Sequence, residues 1–155
     1  MKRAVVAVLL TVLVASSLAE AGRTDDFDFA QGLVERKFYD LAKEEFEAIV
    51  NDTSRSVEER AAGELGLALL LKAQSWDAQQ NPKMATTDVI ALYDDAERRF
   101  DRFLDQYPNH PKIIDARFEV GGLLQNKGNF LTGRMRKEPE QKDAYFPTAE
   151  SAYGQ

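Results

Sequence analysis

The chain has no cysteine and a single histidine, His110. Disulfides, thiolate zinc sites, cysteine nucleophiles and paired histidine ligands are therefore excluded within it. It has no excess of basic charge: 26 acidic side chains against 20 basic ones leave a net charge of −6. No electrostatic footprint for nucleic acid follows from that balance. A glycine-rich phosphate loop, a zinc-protease helix and a nucleophile elbow are all missing, and no catalytic residue, cofactor or metal is expected. His110 stands between Asn109 and Pro111 without a serine, cysteine or second histidine placed beside it by any motif, so it reads as a connector residue. The 155 residues leave room for one compact domain or a short repeat array.

The only long apolar run is at the N-terminus. Lys2 and Arg3 precede the apolar stretch from Ala4 to Val14, and Ala19-Glu20-Ala21 has small residues at the cleavage positions. This pattern predicts a cleavable signal peptide over 1–21 and a mature chain from Gly22. An uncleaved anchor needs about 20 apolar residues, and Thr11 and Ser16-Ser17 interrupt this run. Removing Lys2, Arg3 and Glu20 takes a net +1 with it and leaves −7. With no cysteine for lipidation, the expected product is exported, periplasmic or secreted, and has no stable membrane anchor.

The remaining sequence, 22–155, is periodic. In the stretch from Asp88 to Pro111 the residues Val89, Leu92, Tyr93, Ala96, Phe100, Phe103, Leu104 and Tyr107 step by three and four, which makes a helix with one buried face. The pattern recurs: Tyr39, Ala42 and Phe46 precede Tyr93, Ala96 and Phe100 by 54 residues, and Phe146, Ala149 and Tyr153 follow by 53. A second element, large-small-x2-large, recurs as Phe29-Ala30-x2-Leu33, Leu65-Gly66-x2-Leu69 and Val120-Gly121-x2-Leu124. Gly66 and Gly121 each cost a helix roughly 1 kcal/mol against Ala, so close helix packing is the expected reason for both.

These paired elements resemble the two helices of the tetratricopeptide repeat, over essentially the whole mature chain. The resemblance implies an all-α, right-handed solenoid of about three helix hairpins, at about 25–54, 56–109 and 111–155, the last incomplete. Two hairpins are elongated: the step from the small residue of the first helix to the Ala of the second is 12 from Ala30 to Ala42, but 30 from Gly66 to Ala96 and 28 from Gly121 to Ala149. In the second hairpin the apolar stripe runs on through Ala73 and Trp76, so both helices are expected to be longer, with a turn near Asn81-Pro82-Lys83 and with Trp76 read as core at the far end in preference to stacking on a ligand. In the third, Asn126-Lys127-Gly128-Asn129 reads as a helix stop, 131–144 as a solvated loop or a short amphipathic piece in which Pro139 interrupts any long helix, and Phe146 to Tyr153 as the beginning of the last helix.

Local signals fill in the rest. Thr24-Asp25-Asp26 suits a first helix cap, and its spacing lacks the alternating oxygen ligands of a calcium loop. Ser56-Val57-Glu58-Glu59 is a capping box opening a helix that is apolar nearly all round at Leu67 to Leu71, hence expected between its neighbours. Pro111 suits the first position of the next helix, where Ile113, Ile114, Ala116, Phe118, Val120, Leu123 and Leu124 are expected to pack. Asp94-Asp95 and Glu44-Glu45 read as solvated. Asn51-Asp52-Thr53 matches a glycosylation acceptor, which has meaning only in a eukaryotic secretory route.

The segment from Phe100 through Tyr107-Pro108 and on to Val120-Gly121 is similar to periplasmic repeats of the Tol-associated coordinator and outer-membrane assembly lipoprotein type. That resemblance implies a non-enzymatic adaptor of the cell envelope, presenting a groove to an extended peptide or helix of a protein partner. Polar residues of the first helices, Gln31, Glu35, Glu64, Lys72, Arg117 and Gln125, are the candidate groove residues. The alternatives are a self-assembling structural protein, joined through its last repeat, and the helical arm of a longer envelope enzyme.

Overall fold

A computed structural model describes residues 26–154 as a set of packed helices, with no strand among them. The expected signal peptide and most of the first cap lie outside the described residues. Helix α1 covers 26–35. It is followed by α2 (Tyr39–Asn51), α3 (Val57–Gln80), α4 (Thr86–Gln106), α5 (Ile113–Lys137), a 3₁₀ turn (Pro139–Gln141) and α6 (Lys142–Gly154).

The boundaries follow from local chemistry. Lys37 closes α1 with a left-handed backbone, φ 64°. Its N–H donates to the Val34 carbonyl at 2.9 Å and the Phe38 N–H to Leu33 at 2.9 Å, the two bonds of a Schellman cap, here built on lysine rather than glycine. At the start of α3 the capping box forms as expected: the Glu59 N–H donates to Ser56 Oγ at 3.1 Å, and the Ser56 N–H donates to Glu59 Oε2 at 2.7 Å. Between α3 and α4 the Lys83 N–H donates to Asn81 Oδ1 at 3.0 Å, which makes the expected turn. Elongation of this hairpin is also met, since α3 and α4 have 24 and 21 residues against 13 in α2.

Helix α3 is buried on opposite sides, which explains its nearly continuous apolar composition. Leu67 and Leu70 join Ala30, Leu33, Ala42, Phe46 and Ile49 in one cluster with α1 and α2. Ala61, Leu65 and Ala68 face Tyr93, Ala96, Phe100 and Phe103 of α4, with Ala116 and Leu123 of α5 behind them. Close approach is built with glycine at two places. A Cβ on Gly66 would stand 2.3 Å from the Phe46 ring, and one on Gly63 would stand 2.9 Å from Ile49.

Several expectations are overturned. Gly121 is exposed, and a Cβ added there would meet nothing within 4 Å, so close packing does not account for it. Trp76 is 49% exposed, and Ile114 and Phe118 point outward, because the buried stripe of α5 runs through Ala116, Leu123, Leu124 and Leu131 instead. The helix does not stop at Asn126–Asn129. Lys127, Gly128 and Leu131 continue that stripe, and Gly128 leaves the space that the Tyr153 ring occupies, 2.6 Å from where a Cβ would be. In the region 131–144, which the sequence leaves open between a loop and an amphipathic piece, α6 begins at Lys142 and α5 continues to Lys137. Pro139 does end that helix, disfavouring helical backbone at Glu138, and opens the 3₁₀ turn. The last helix begins at Lys142, before the expected Phe146, because Tyr145 is buried and its hydroxyl reaches Glu138 Oε2 at 2.9 Å and Gln141 Oε1 at 2.6 Å.

Asp94 is not simply solvated either. Its Oδ1 lies 2.7 Å from Lys127 Nζ, which also reaches Glu97 Oε2 at 2.8 Å, so a lysine with an 8% exposed side chain ties α5 to α4. Burial pulls the Lys127 pKa down, but the hydrogen bonds to Asp94 and Glu97 outweigh it and leave the ammonium raised above its ordinary value.

Candidate functional site

Helices α1, α3 and α5 together border a groove of about 410 Å³. Its floor is aliphatic, with Val34 from α1 and Leu69 and Ala73 from α3. Trp76 lies one turn beyond Ala73 on the same side of α3, where the spacing 69, 72, 73, 76 places all four residues on one face. Trp76 is 49% exposed, so one face of a large aromatic side chain stands open beside the aliphatic floor.

Polar pairs border the groove and hold the helices together across it. On one side Asp77 accepts from Lys37 Nζ at 2.8 Å and from the Tyr39 hydroxyl at 2.8 Å. The left-handed backbone at Lys37 is the local feature that turns the chain from α1 into α2 beside this carboxylate. The hydrogen bond from Lys37 holds the Asp77 carboxyl below its ordinary value against the opposing effect of burial, and the bond from Tyr39 adds to it. Burial, together with the bond to Asp77, pushes the Tyr39 hydroxyl up to about 12. On the other side Lys72 donates to Glu119 Oε2 at 2.5 Å and to the Glu119 carbonyl at 3.2 Å, joining α3 to α5.

Of the six candidate groove residues, Glu35 and Lys72 line this groove. Gln31, Arg117 and Gln125 are exposed on α1 and α5 but do not border it. Glu64 is turned toward α4, where it accepts from Arg99 Nη1 at 3.1 Å, so it serves helix packing instead. Lys37, Tyr39, Trp76, Asp77, Glu119 and Asn126 also line it and are absent from the sequence-based set. Trp76 shares helical spacing with Leu69 and Ala73, and that periodicity gives core and groove the same signature.

An apolar floor, one accessible aromatic ring and fixed charges of both signs suit noncovalent capture of a peptide. Four of its charged groups are paired, Lys37 with Asp77 and Lys72 with Glu119, and Glu35 stands exposed at its edge. His110 lies elsewhere: its Nδ1 accepts from the Lys112 N–H at 3.1 Å, and its ring packs edge-on against Phe103 with centroids 5.2 Å apart, a role in the connector to α5. Among the described residues no cluster of three or more His, Asp or Glu side chains could hold a metal ion, and no helix is long and apolar enough to cross a membrane. No family model matches this chain, and neither the curated proteins nor the solved structures contain a match to it.

Proposed function

We propose that the protein is a non-enzymatic adaptor of the cell envelope whose helices form a right-handed, tetratricopeptide-type array and bind an extended peptide or helix of a protein partner in the α1/α3/α5 groove. The signal-like N-terminus supports export to the periplasm or beyond, and the thrice-recurring helix pattern supports the array. The observation that carries the binding site is Trp76, a half-exposed indole on the aliphatic side of α3 beside the Lys72–Glu119 pair. Amphipathic aromatics in such positions supply much of the contact energy in peptide and protein recognition.

The test is retention of envelope proteins on immobilised protein, comparing the natural chain with Trp76→Ala. Because Trp76 is also half buried, its truncation should cost about 2 kcal/mol of packing, and circular dichroism of the variant establishes that it is folded before retention is compared. Stoichiometric retention that is lost in Trp76→Ala is the expected result. Failure to retain any envelope protein, or equal retention by Trp76→Ala, contradicts the proposal.

One observation favours self-assembly as a second reading. Phe46 and Phe100 are 2% and 0% exposed, whereas Tyr153, at the matching position of the recurring pattern, is 56% exposed. Phe146 beside it is also open, and the two border an apolar groove of about 370 Å³ between α5 and α6. Sedimentation across a wide concentration range separates the readings: rising mass supports assembly through this edge, and a constant monomer mass contradicts it.

A further inference from the structure

A second groove, of about 490 Å³, lies between α2 and α4 over the opposite side of α3. Its α3 lining is Leu67, Leu70, Leu71 and Gln74, whereas the first groove uses 69, 72, 73 and 76. At 100° per residue these two sets stand roughly half a turn apart, so the two grooves share α3 but no surface.

The rim of this second groove carries a concentration of positive charge in a chain that is acidic as a whole. Lys43 stands on the α2 side and Arg98, Arg99 and Arg102 on the α4 side, against Asp40 and Asp95. Helix α4 sorts its side chains by face. Val89, Tyr93, Ala96, Phe100 and Phe103 are buried, while Arg98, Arg99 and Arg102 line the groove. Asp94, Glu97, Asp101 and Asp105 fall on a third face, roughly a third of a turn from each of the others. Crowding on that acidic face is visible at Asp101, whose carboxyl is raised by burial and by the charges of Glu97 and Asp105.

Only one of the four rim cations is firmly held. Arg99 is engaged by Glu64 across a half-buried pair. Lys43 stands 3.8 Å from Glu47 with both side chains exposed, and Arg98 meets its exposed neighbour Asp95 one turn back on the same helix. Exposed pairs of this kind contribute little and exchange readily for other anions. The guanidinium of Arg102 has no ion-pair partner among the described residues.

We propose that the α2/α4 groove is a second docking surface, and that it binds an acidic peptide segment of a partner protein. Carboxylates of that segment meet Lys43, Arg98 and Arg102, while Leu67 and Leu70 beneath them are 3% and 1% exposed and add little contact. The proposal does not depend on the α1/α3/α5 groove being a peptide site, since the two surfaces are separate.

The test is fluorescence anisotropy with a labelled peptide of alternating glutamate and serine, against the natural chain, the Arg98→Glu/Arg102→Glu variant and Trp76→Ala. Both arginines are exposed, so the charge-reversed variant should keep its circular dichroism and unfolding midpoint. Saturable binding that weakens as salt rises is expected, with about a tenfold loss of affinity on charge reversal and no change in Trp76→Ala. The proposal is overturned if the peptide shows no saturable binding, if the charge-reversed variant binds it equally well, or if Trp76→Ala abolishes binding.

Discussion

Two glycines at matching positions of the recurring pattern should respond to alanine with opposite signs. Gly66 and Gly121 both lie inside helices, where Ala is favoured over Gly by about 1 kcal/mol. At Gly121 nothing lies within 4 Å of the added methyl, so Gly121→Ala should gain about that amount. At Gly66 the methyl would stand 2.3 Å from Cε1, 2.5 Å from Cδ1 and 2.8 Å from Cζ of Phe46. That ring cannot swing away cheaply, because it is buried and packs against Phe27 with centroids 5.5 Å apart. Overpacking a fixed core costs up to about 3 kcal/mol, and after the helix gain Gly66→Ala should lose about 2 kcal/mol. Urea unfolding followed by circular dichroism would show the two variants on opposite sides of the natural chain, about 1 M or more apart for slopes in the usual range. Gly66→Ala matching or exceeding the natural stability would refute the close-packing argument, and a destabilised Gly121→Ala would refute the assignment of that face to solvent.

Three further outcomes follow from the polar contacts. Lys127→Ala leaves Glu97 and Asp94 facing each other across the α4/α5 contact without their cation, and should lower stability by about 2–3 kcal/mol in urea unfolding. Lys37→Gly and Lys37→Ala both remove the exposed pair with Asp77, but only glycine relaxes the φ of 64°, so the glycine variant should be the more stable by about 1 kcal/mol. The Tyr39–Asp77 contact should produce stability changes at both ends of the pH range. Tyr39 is raised in the folded state to about 12, so its contribution is complete below the unfolded value near 10 and is lost as pH rises through the folded one. Asp77 is lowered, so its contribution is present above the unfolded value near 4 and is lost as pH falls through the folded one. Unfolding midpoints of Tyr39→Phe against the natural chain should therefore converge in strong alkali.

Local signals in the sequence were sufficient for the hairpin of α3 and α4. A capping box, an Asx turn and a three-four apolar step each act within a few residues, and all three formed where expected. The burial of α3 on two opposite sides was legible for a related reason, since a helix segment apolar nearly all round at Leu67 to Leu71 must have neighbours on more than one side. The third hairpin was not legible because its controls are distant. Gly128 has the same local signature whether it stops a helix or leaves room for a ring, and the ring it accommodates, Tyr153, lies 25 residues later. Lys127 reads as polar and solvated until its carboxylate partners arrive from α4. The groove was half legible: Glu35 and Lys72 were found from their place on first helices, whereas Trp76 shares its helical spacing with true core residues. Exposure separates the two, and exposure depends on where α5 packs.

Site-specific photo-crosslinking would test peptide capture by the α1/α3/α5 groove in the producing cell. A photoreactive amino acid would replace Trp76, with a matched probe at Glu58, an exposed residue at the start of α3 away from the groove. A discrete covalent adduct with one envelope protein from position 76, and none from position 58, is the expected result. The same adducts from both positions, or none from position 76, would contradict the adaptor reading.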